Sequence, residues 1–315
     1  MNVYHTLERI LVRRPVVSIG VFDGVHRGHR HLFDRMKEEA RRIGGETVVI
    51  TFWPHPRLVL NRDPEKIRYL STIQGKQELI EACGIDHLVI LEFTEEIRNM
   101  DARTFIEEVL VKKVGVRVLV MGFDHVFGRD RQGDHRMVAA LGEELGFRVV
   151  RVEALVVEGR TVSSTLIREL LWAGDVVTAE RMLGYPYFII GRIVGGKRLG
   201  RSLGFPTANI RPDDEHKLIP RDGVYAVRVI LSGHDLGGML NIGVRPTVSD
   251  GFPTKTIEVH IFDFHGDIYG QDVKVVFMGR IRDERKFQDV EALVTQLQRD
   301  REVALAILEG SSHRK

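Results

Sequence analysis

The sequence predicts an α/β half followed by an all-β half. Strand-like and helix-like segments alternate up to about residue 185, short strand-like runs with no intervening helix follow, and 315 residues exceed the usual size of one domain. Composition narrows the function class. Lys+Arg 46 against Asp+Glu 44 leaves a net charge of +2, so no strong field draws in nucleic acid or an anionic membrane. A hydrophobic content of 43% with 29% charged residues fits a globular chain. The single cysteine, Cys83, excludes an internal disulfide and a Cys-rich zinc site. The first fifteen residues carry charges through their apolar stretch, unlike a secretory signal, and no apolar run approaches the ~20 residues of a membrane span. A cytoplasmic location is expected.

The elements follow in order. Val16–Phe22 is a β-branched run and reads as a buried strand. In 29–43, Leu32, Phe33, Met36, Ala40 and Ile43 recur at helical spacing, and Gly44-Gly45 ends the pattern. Thr47–Phe52 is the next strand, closed by the prolines of WPHP. Helices are expected over 76–83, 104–114 and 133–145, and strands over 87–93, 116–121 and 147–152. This alternation implies a parallel sheet with right-handed crossovers, whose ligands bind beyond the carboxyl ends of the strands. Beyond Pro186, runs at 187–194, 224–231, 238–242, 256–262 and 273–278 are separated by Gly, Pro, Asn or Asp, the pattern of a small antiparallel barrel. Val290, Leu293, Val294, Leu297, Val303, Ala304, Ile307 and Leu308 form the apolar stripe of a closing helix, and the last six residues read as a loose tail.

Two constellations carry chemistry in the first half. Gly20-Val21-Phe22-Asp23-Gly24-Val25-His26-Arg27-Gly28-His29 joins the first strand to the first helix. Its glycines permit a tight turn near a ligand, and His26 and His29 fall on one side of the helix start, where free N–H groups favour phosphate. Spacing alone leaves a phosphate site, a metal pair and solvent-facing histidines open. Val162-Ser163-Ser164-Thr165-Leu166-Ile167-Arg168 opens a later helix, with three hydroxyls for capping and an arginine for bidentate phosphate contact. An ordinary capped helix remains the alternative. Thr51-Phe52-Trp53-Pro54-His55-Pro56 and Gly122-Phe123-Asp124-His125-Val126-Phe127-Gly128 both follow predicted strands and offer apolar walls for a flat ring. Loop packing explains each equally well when taken alone.

In the second half, residues 195–209 (GGKRLGRSLGFPTAN) combine glycines and cations without matching the P-loop pattern. Thr207 and Asn209 offer hard oxygens suited to Mg²⁺ beside phosphate, and a surface loop is the alternative. In Thr256–His260, Ile257 and Val259 share one strand face and Glu258 and His260 the other, so Glu258 is not a core residue by pattern.

The ordered set GVFDGVHRGH, TFWPHP, VSSTLIR, GFPTAN, GVY, NIGVRPT and EVHIFDF resembles the bacterial bifunctional riboflavin kinase/FAD synthetase family over roughly residues 10–308. The resemblance implies a Rossmann-like nucleotidylyltransferase (FMN adenylyltransferase) domain over 1–185 and a six-stranded riboflavin-kinase barrel with a terminal helix over 186–315. It implies phosphorylation of riboflavin to FMN by ATP, then adenylylation of FMN to FAD with release of pyrophosphate. By that resemblance Gly20, Phe22, Asp23, Gly24, His26, His29, Ser163, Ser164, Thr165 and Arg168 bind ATP for adenylyl transfer, with His26 and His29 catalytic. Phe52, Pro54, Pro56, Asp124 and Phe127 take the flavin there. In the kinase, Gly196, Lys197, Gly200, Gly204, Phe205, Pro206, Thr207 and Asn209 bind ATP, Thr207 and Asn209 hold Mg²⁺, Arg282 and Phe287 bind flavin, and Glu258 is the catalytic base. Val21 and His125 depart from the family pattern, in which a small polar residue and Phe are usual. The expected partners are riboflavin, FMN and ATP, with no nucleic acid or membrane, and the expectation for self-association is a weak or transient homo-oligomer. Two rivals remain: an adenylyltransferase for another cofactor precursor with a degenerate barrel, and a nucleotide- or flavin-sensing protein without catalysis.

Overall fold

The computed structural model describes residues 1–8, 10–56, 58, 68–123, 125, 133–195, 204–245 and 254–312. Chain contacts divide it into two compact units, Met1–Ser164 and Thr165–Lys315.

The first unit is built on six parallel strands: β1 (Asn2–Tyr4), β2 (Val16–Ile19), β3 (Thr47–Trp53), β4 (His87–Glu92), β5 (Val118–Gly122) and β6 (Arg148–Val152). Their order is β1-β4-β3-β2-β5-β6. The direction of winding reverses between β2 and β5, so the crevice beyond the carboxyl end of β2 is the expected ligand position of an open α/β sheet. Helices α1 (Arg27–Ile43), α2 (Ile73–Ala82), α3 (Phe105–Val114, wound as a π-helix) and α4 (His135–Leu145) connect the strands.

The two-residue strand period explains the layering. Val17, Ile19, Val48, Ile50, Val89, Leu91, Leu119 and Met121 join Phe105, Ile106, Val109, Leu110, Val138 and Leu141 in one buried cluster. Val49, Thr51 and Trp53 take the opposite parity in β3. Helix α1 buries Leu32, Phe33, Met36 and Ala40, the stripe expected from sequence, and stops at Gly44 in the left-handed conformation. Strand β1 is an addition to the sequence reading. Three residues are too few to show a period, and β1 is held by pairing beside β4.

The second unit, from Thr165, holds the rest of α5 (Ser164–Ala173) and α6 (Val176–Leu183). Strands β7 (Phe188–Val194), β8 (Ala208–Pro212), β9 (Gly223–Leu231), β10 (His234–Arg245), β11 (Thr254–Ile261) and β12 (Asp272–Arg282) close a barrel in the order β8-β11-β10-β9-β12-β7. Every pairing is antiparallel. Closure leaves no strand edge exposed to pairing. Helix α7 (Val290–Ser312) packs on β9, β10 and β12 through Leu297, Ala304 and Leu308, which join Ala226 and Met239 in one cluster.

Two expectations for the chain end need correction. Helix α7 continues through Ser312, into the stretch read as a tail. Val290 and Val303 lie outside the buried stripe, 57% and 44% exposed, because the stripe follows Leu293, Leu297, Asp300, Ala304 and Leu308.

Candidate active sites

In the first unit, the chain leaves β2 and turns back into α1 through a tightly bonded loop. Phe22, Gly24 and Val25 all have positive φ (48°, 79° and 38°). The buried Asp23 carboxylate accepts N–H bonds from Leu70 at 2.9 Å and Ser71 at 3.1 Å, and Gly24 N–H donates to Ser71 Oγ. Asp23, expected from the resemblance to bind ATP, thus has its carboxylate committed to the segment preceding α2. Gly20 faces the Phe22 ring, where an added Cβ would come within 3.0 Å of ring carbon Cζ.

His26 is the N-cap of α1. Its Nδ1 accepts the His29 backbone N–H at 3.3 Å, which places the ring proton on Nε2. The His26 and His29 rings stack with centroids 3.6 Å apart and 17° between planes, and Phe22 meets His29 edge-on at 5.2 Å. Burial, with the added charges of His26, Lys76 and His125, holds His29 well below the ordinary histidine pKa, so it is neutral at pH 7. Its Nδ1 is buried without a hydrogen-bond partner among the described residues. A stacked pair of neutral-capable imidazoles over a helix N-terminus can donate to an anion at several points.

Ser164 Oγ donates to the Asp23 carbonyl at 2.9 Å, a bond within the first unit. Ser163 is half-buried, Thr165 is exposed, and Arg168 is half-buried one turn beyond Ser164 on α5. At the end of β3, Phe52 packs edge-on to Phe93 at 5.6 Å, and Pro54 and Pro56 are half-buried. Asp124 and Phe127 lie outside the described residues, as do Gly196, Lys197 and Gly200 of the second half.

In the barrel, register assembles one row of side chains. Asn209 pairs with Glu258, Glu258 with Asn241, Asn241 with Val224, and Val224 with Arg282, so these five positions cross β8, β11, β10, β9 and β12 in line. A cavity of about 300 Å³ opens on this row, lined by Thr207, Asn241, Glu258, Arg282 and Phe287. A second cavity of about 550 Å³, lined by Pro206, Thr207, His265, Asp267, Ile268 and Tyr269, lies on the other side of Thr207, which contributes to both. Gly204 has φ +79°, and after it Phe205 packs against the cluster under α7. His260 Nδ1 is 2.8 Å from the Pro206 carbonyl and its ring meets Phe205 at 5.3 Å, pinning this segment to β11. Burial lowers the His260 pKa.

The arginine of this cavity is fixed from below. Arg282 Nε and Nη2 donate to the Asp300 carboxylate at 3.0 and 2.7 Å, and Gln296 donates to the same carboxylate at 2.7 Å. Asp300 is 1% exposed. The Arg282 guanidinium also lies 5.6 Å from the centre of the Phe287 ring.

Comparison with known proteins identifies the family of each half. The family described as FAD synthetase matches residues 10–166, and the riboflavin kinase family matches residues 183–308. A bifunctional riboflavin kinase/FMN adenylyltransferase of Pseudomonas fluorescens is 38% identical over 302 residues, spanning 96% of each chain. The chain belongs to this bifunctional family. The enzyme of the same description from Escherichia coli K12 is 36% identical over 94% of this chain and 93% of its own, and that of Bacillus subtilis is 35% identical over 303 residues. A solved structure described as a macrolide-efflux protein from Streptococcus pneumoniae superposes with TM-score 0.86 at 32% identity, covering 96% of this chain and 97% of its own. That description applies to the other protein; among the described residues here, no helix is long and apolar enough to cross a membrane.

Members of the bifunctional riboflavin kinase/FMN adenylyltransferase family phosphorylate riboflavin to FMN and adenylylate FMN to FAD, and both activities belong to this chain. Three residues beside the expected ones carry no expectation from sequence: Lys76 near His29, and His260 and Asp300 on the smaller cavity. Lys76 is 1% exposed beneath the end of β3, although lysine at a helix start reads as surface. His260 was placed on the face of Glu258 but given no part. Asp300 interrupts the apolar stripe of α7, and that interruption was the available signal.

Proposed function

We propose that the two activities are divided between 1–185 and 186–315 and that each uses the residues gathered above. In the kinase, ATP occupies the cavity bordered by His265–Tyr269, riboflavin occupies the one containing Glu258, Arg282 and Phe287, and their reacting ends meet at Thr207. The single observation that carries this reading is that Thr207 lines both cavities while Glu258 lines the smaller one. Glu258 accepts the proton of the riboflavin 5′-hydroxyl as its oxygen bonds to the γ-phosphorus and ADP leaves. Arg282, held by Asp300, orients the flavin end of the substrate.

Thr207 and Asn209 supply neutral hard oxygens of the kind Mg²⁺ takes together with phosphate oxygens and water. Glu258 stands beside Asn209 in the ladder and adds an acidic group to the same row. Bound there, Mg²⁺ neutralises charge on the transferring phosphoryl group. Among the described residues no cluster of three His, Cys, Asp or Glu forms a site independent of substrate.

In the adenylyltransferase, His26, His29 and the α1 N-terminus hold the triphosphate, with Ser163 and Ser164 of the same unit completing its contacts. Phe52, Pro54 and Pro56 border the flavin. An FMN phosphate oxygen bonds to the α-phosphorus, the α–β bridging P–O bond breaks, and pyrophosphate leaves with no proton transfer required. The neutral state of His29 suits hydrogen-bond donation to this polyanion without a titrating charge. The cytoplasm, where ATP and riboflavin are both available, is the proposed location.

The test is to incubate the purified chain with riboflavin and ATP, with and without Mg²⁺, and resolve flavins by chromatography. FMN and FAD should form only with the metal. FMN formation by a Thr207→Ala, Asn209→Ala double variant at the parental rate would refute the kinase assignment.

A further inference from the structure

Neither reaction as described uses the charge of Lys76. Its side chain leaves α2 and runs under the end of β3, where Nζ donates to Thr51 Oγ1 at 3.3 Å and lies 5.7 Å from the centre of the Trp53 ring. Thr51 is neutral, and its own hydroxyl donates to the Val21 carbonyl at 3.1 Å. No salt bridge to Lys76 is present among the described residues. Asp23 attracts it only at longer range, with its carboxylate already bonded to Leu70 and Ser71. The other buried lysine, Lys217, has an aromatic cradle instead, with Nζ 4.1 Å over Tyr187.

A desolvated ammonium whose nearby carboxylate is already taken up by backbone N–H groups is unfavourable unless a ligand provides a further anion. The surroundings of Lys76 say what that anion is. Facing it are Asp23 from the β2–α1 turn, His29 from α1, and the neutral Thr51 and Trp53 from β3. His29 adds a buried, unpartnered ring nitrogen to the same place. Positive charge and an unmet hydrogen-bonding group in a buried position suit a phosphate.

We propose that Lys76 binds the phosphate of FMN and holds its attacking oxygen against the α-phosphorus of ATP. Position favours this phosphate over the triphosphate. Lys76 reaches the end of β3 at Thr51 and Trp53, the strand that leads into Pro54 and Pro56, whereas His26 and the α1 N-terminus belong to the end of β2. Two phosphate anions must approach for the P–O bond to form, and a cation on the acceptor side offsets their repulsion as the α–β bond breaks. The inference rests on the adenylyltransferase site proposed above.

The test uses Lys76→Met and Lys76→Arg in the full chain, with FMN and ATP varied separately. Lys76→Met preserves length and apolar contacts, and its far-UV circular dichroism should match the parent. Its kcat/KM for FMN should fall about 10²–10³-fold, as for loss of a preorganised charge-stabilising donor, with the KM for ATP near parental. Lys76→Arg should keep more of the activity. In the parent, kcat/KM for FMN should decline as pH rises through about 8, where Lys76 loses its proton, and this decline should be absent in Lys76→Arg. A flat parental profile across that range would overturn the assignment even if Lys76→Met does not fold. Parental kcat/KM for FMN in Lys76→Met, with His29→Ala inactive, overturns the lysine assignment alone; parental FAD formation in both variants overturns the site itself.

Discussion

Glu258 stands directly opposite Asn209 across the β8–β11 ladder. On its other flank it stands opposite Asn241. A carboxylate between two amides on adjacent strands is set in direction by the barrel itself, so the proposed role of Glu258 can be tested apart from folding. Glu258→Gln should lower riboflavin phosphorylation about 10²–10⁴-fold, the usual worth of a general base. Supplied with FMN, the same variant should make FAD at the parental rate. Parental FMN formation from riboflavin would remove Glu258 from the mechanism.

His29→Ala should show the opposite pattern. The substitution removes one ring of the stacked pair and the buried nitrogen, while the His26 cap on α1 uses the His29 backbone N–H and survives. FMN should accumulate from riboflavin and FAD should not form, as read by chromatography of the flavins.

Asp300 is expected to act through Arg282. Its carboxylate accepts two guanidinium bonds and one from Gln296. Asp300→Asn weakens the charge-assisted pair, and the KM for riboflavin should rise roughly 10-fold or more, given about 1.5–3 kcal/mol for hydrogen bonds to charged groups. The KM for ATP in the same reaction should stay near parental, a split that general loosening of α7 would not produce.

Lys76 should carry a stability cost with a defined pH dependence. Burial lowers its pKa from 10.5 to about 8, so below 8 both folded and unfolded chains are protonated and the cost is fully present. Between those values the unfolded chain holds the proton that the folded chain has lost, and folding stability from this group rises with pH. Lys76→Met should therefore exceed the parent at pH 7 by up to roughly 3 kcal/mol in urea denaturation, with the gap narrowing toward pH 10.5. A gap that widens with pH would contradict the burial argument.

The periodic parts of the fold were legible, and the exceptions have physical causes. Continuous β-branched and apolar runs announced the strands, because strands buried on both faces read that way, and Leu32, Phe33, Met36 and Ala40 announced α1, because burial of one helix face leaves a period. Strand β8 was read only as a ligand loop, since Ala208–Pro212 is short and contains Asn and Pro. Pairing on both sides makes it a strand, and that pairing comes from residues far along the chain. The pairing of His26 and His29 on one side of the α1 start was legible from their spacing, while their stacking and the His26 cap were not. Asp23 sat inside that motif and was grouped with it, yet its carboxylate serves Leu70 and Ser71. Lys76 and Asp300 depend on long-range packing that single-sequence patterns do not encode.

The wall shared at Thr207 bears on how the kinase could be blocked. A molecule long enough to pass this threonine and fill both hollows would exclude nucleotide and vitamin together. On the proposed assignment of the two cavities, such a bisubstrate inhibitor would draw affinity from two recognition surfaces through one short tether, and would compete with each substrate.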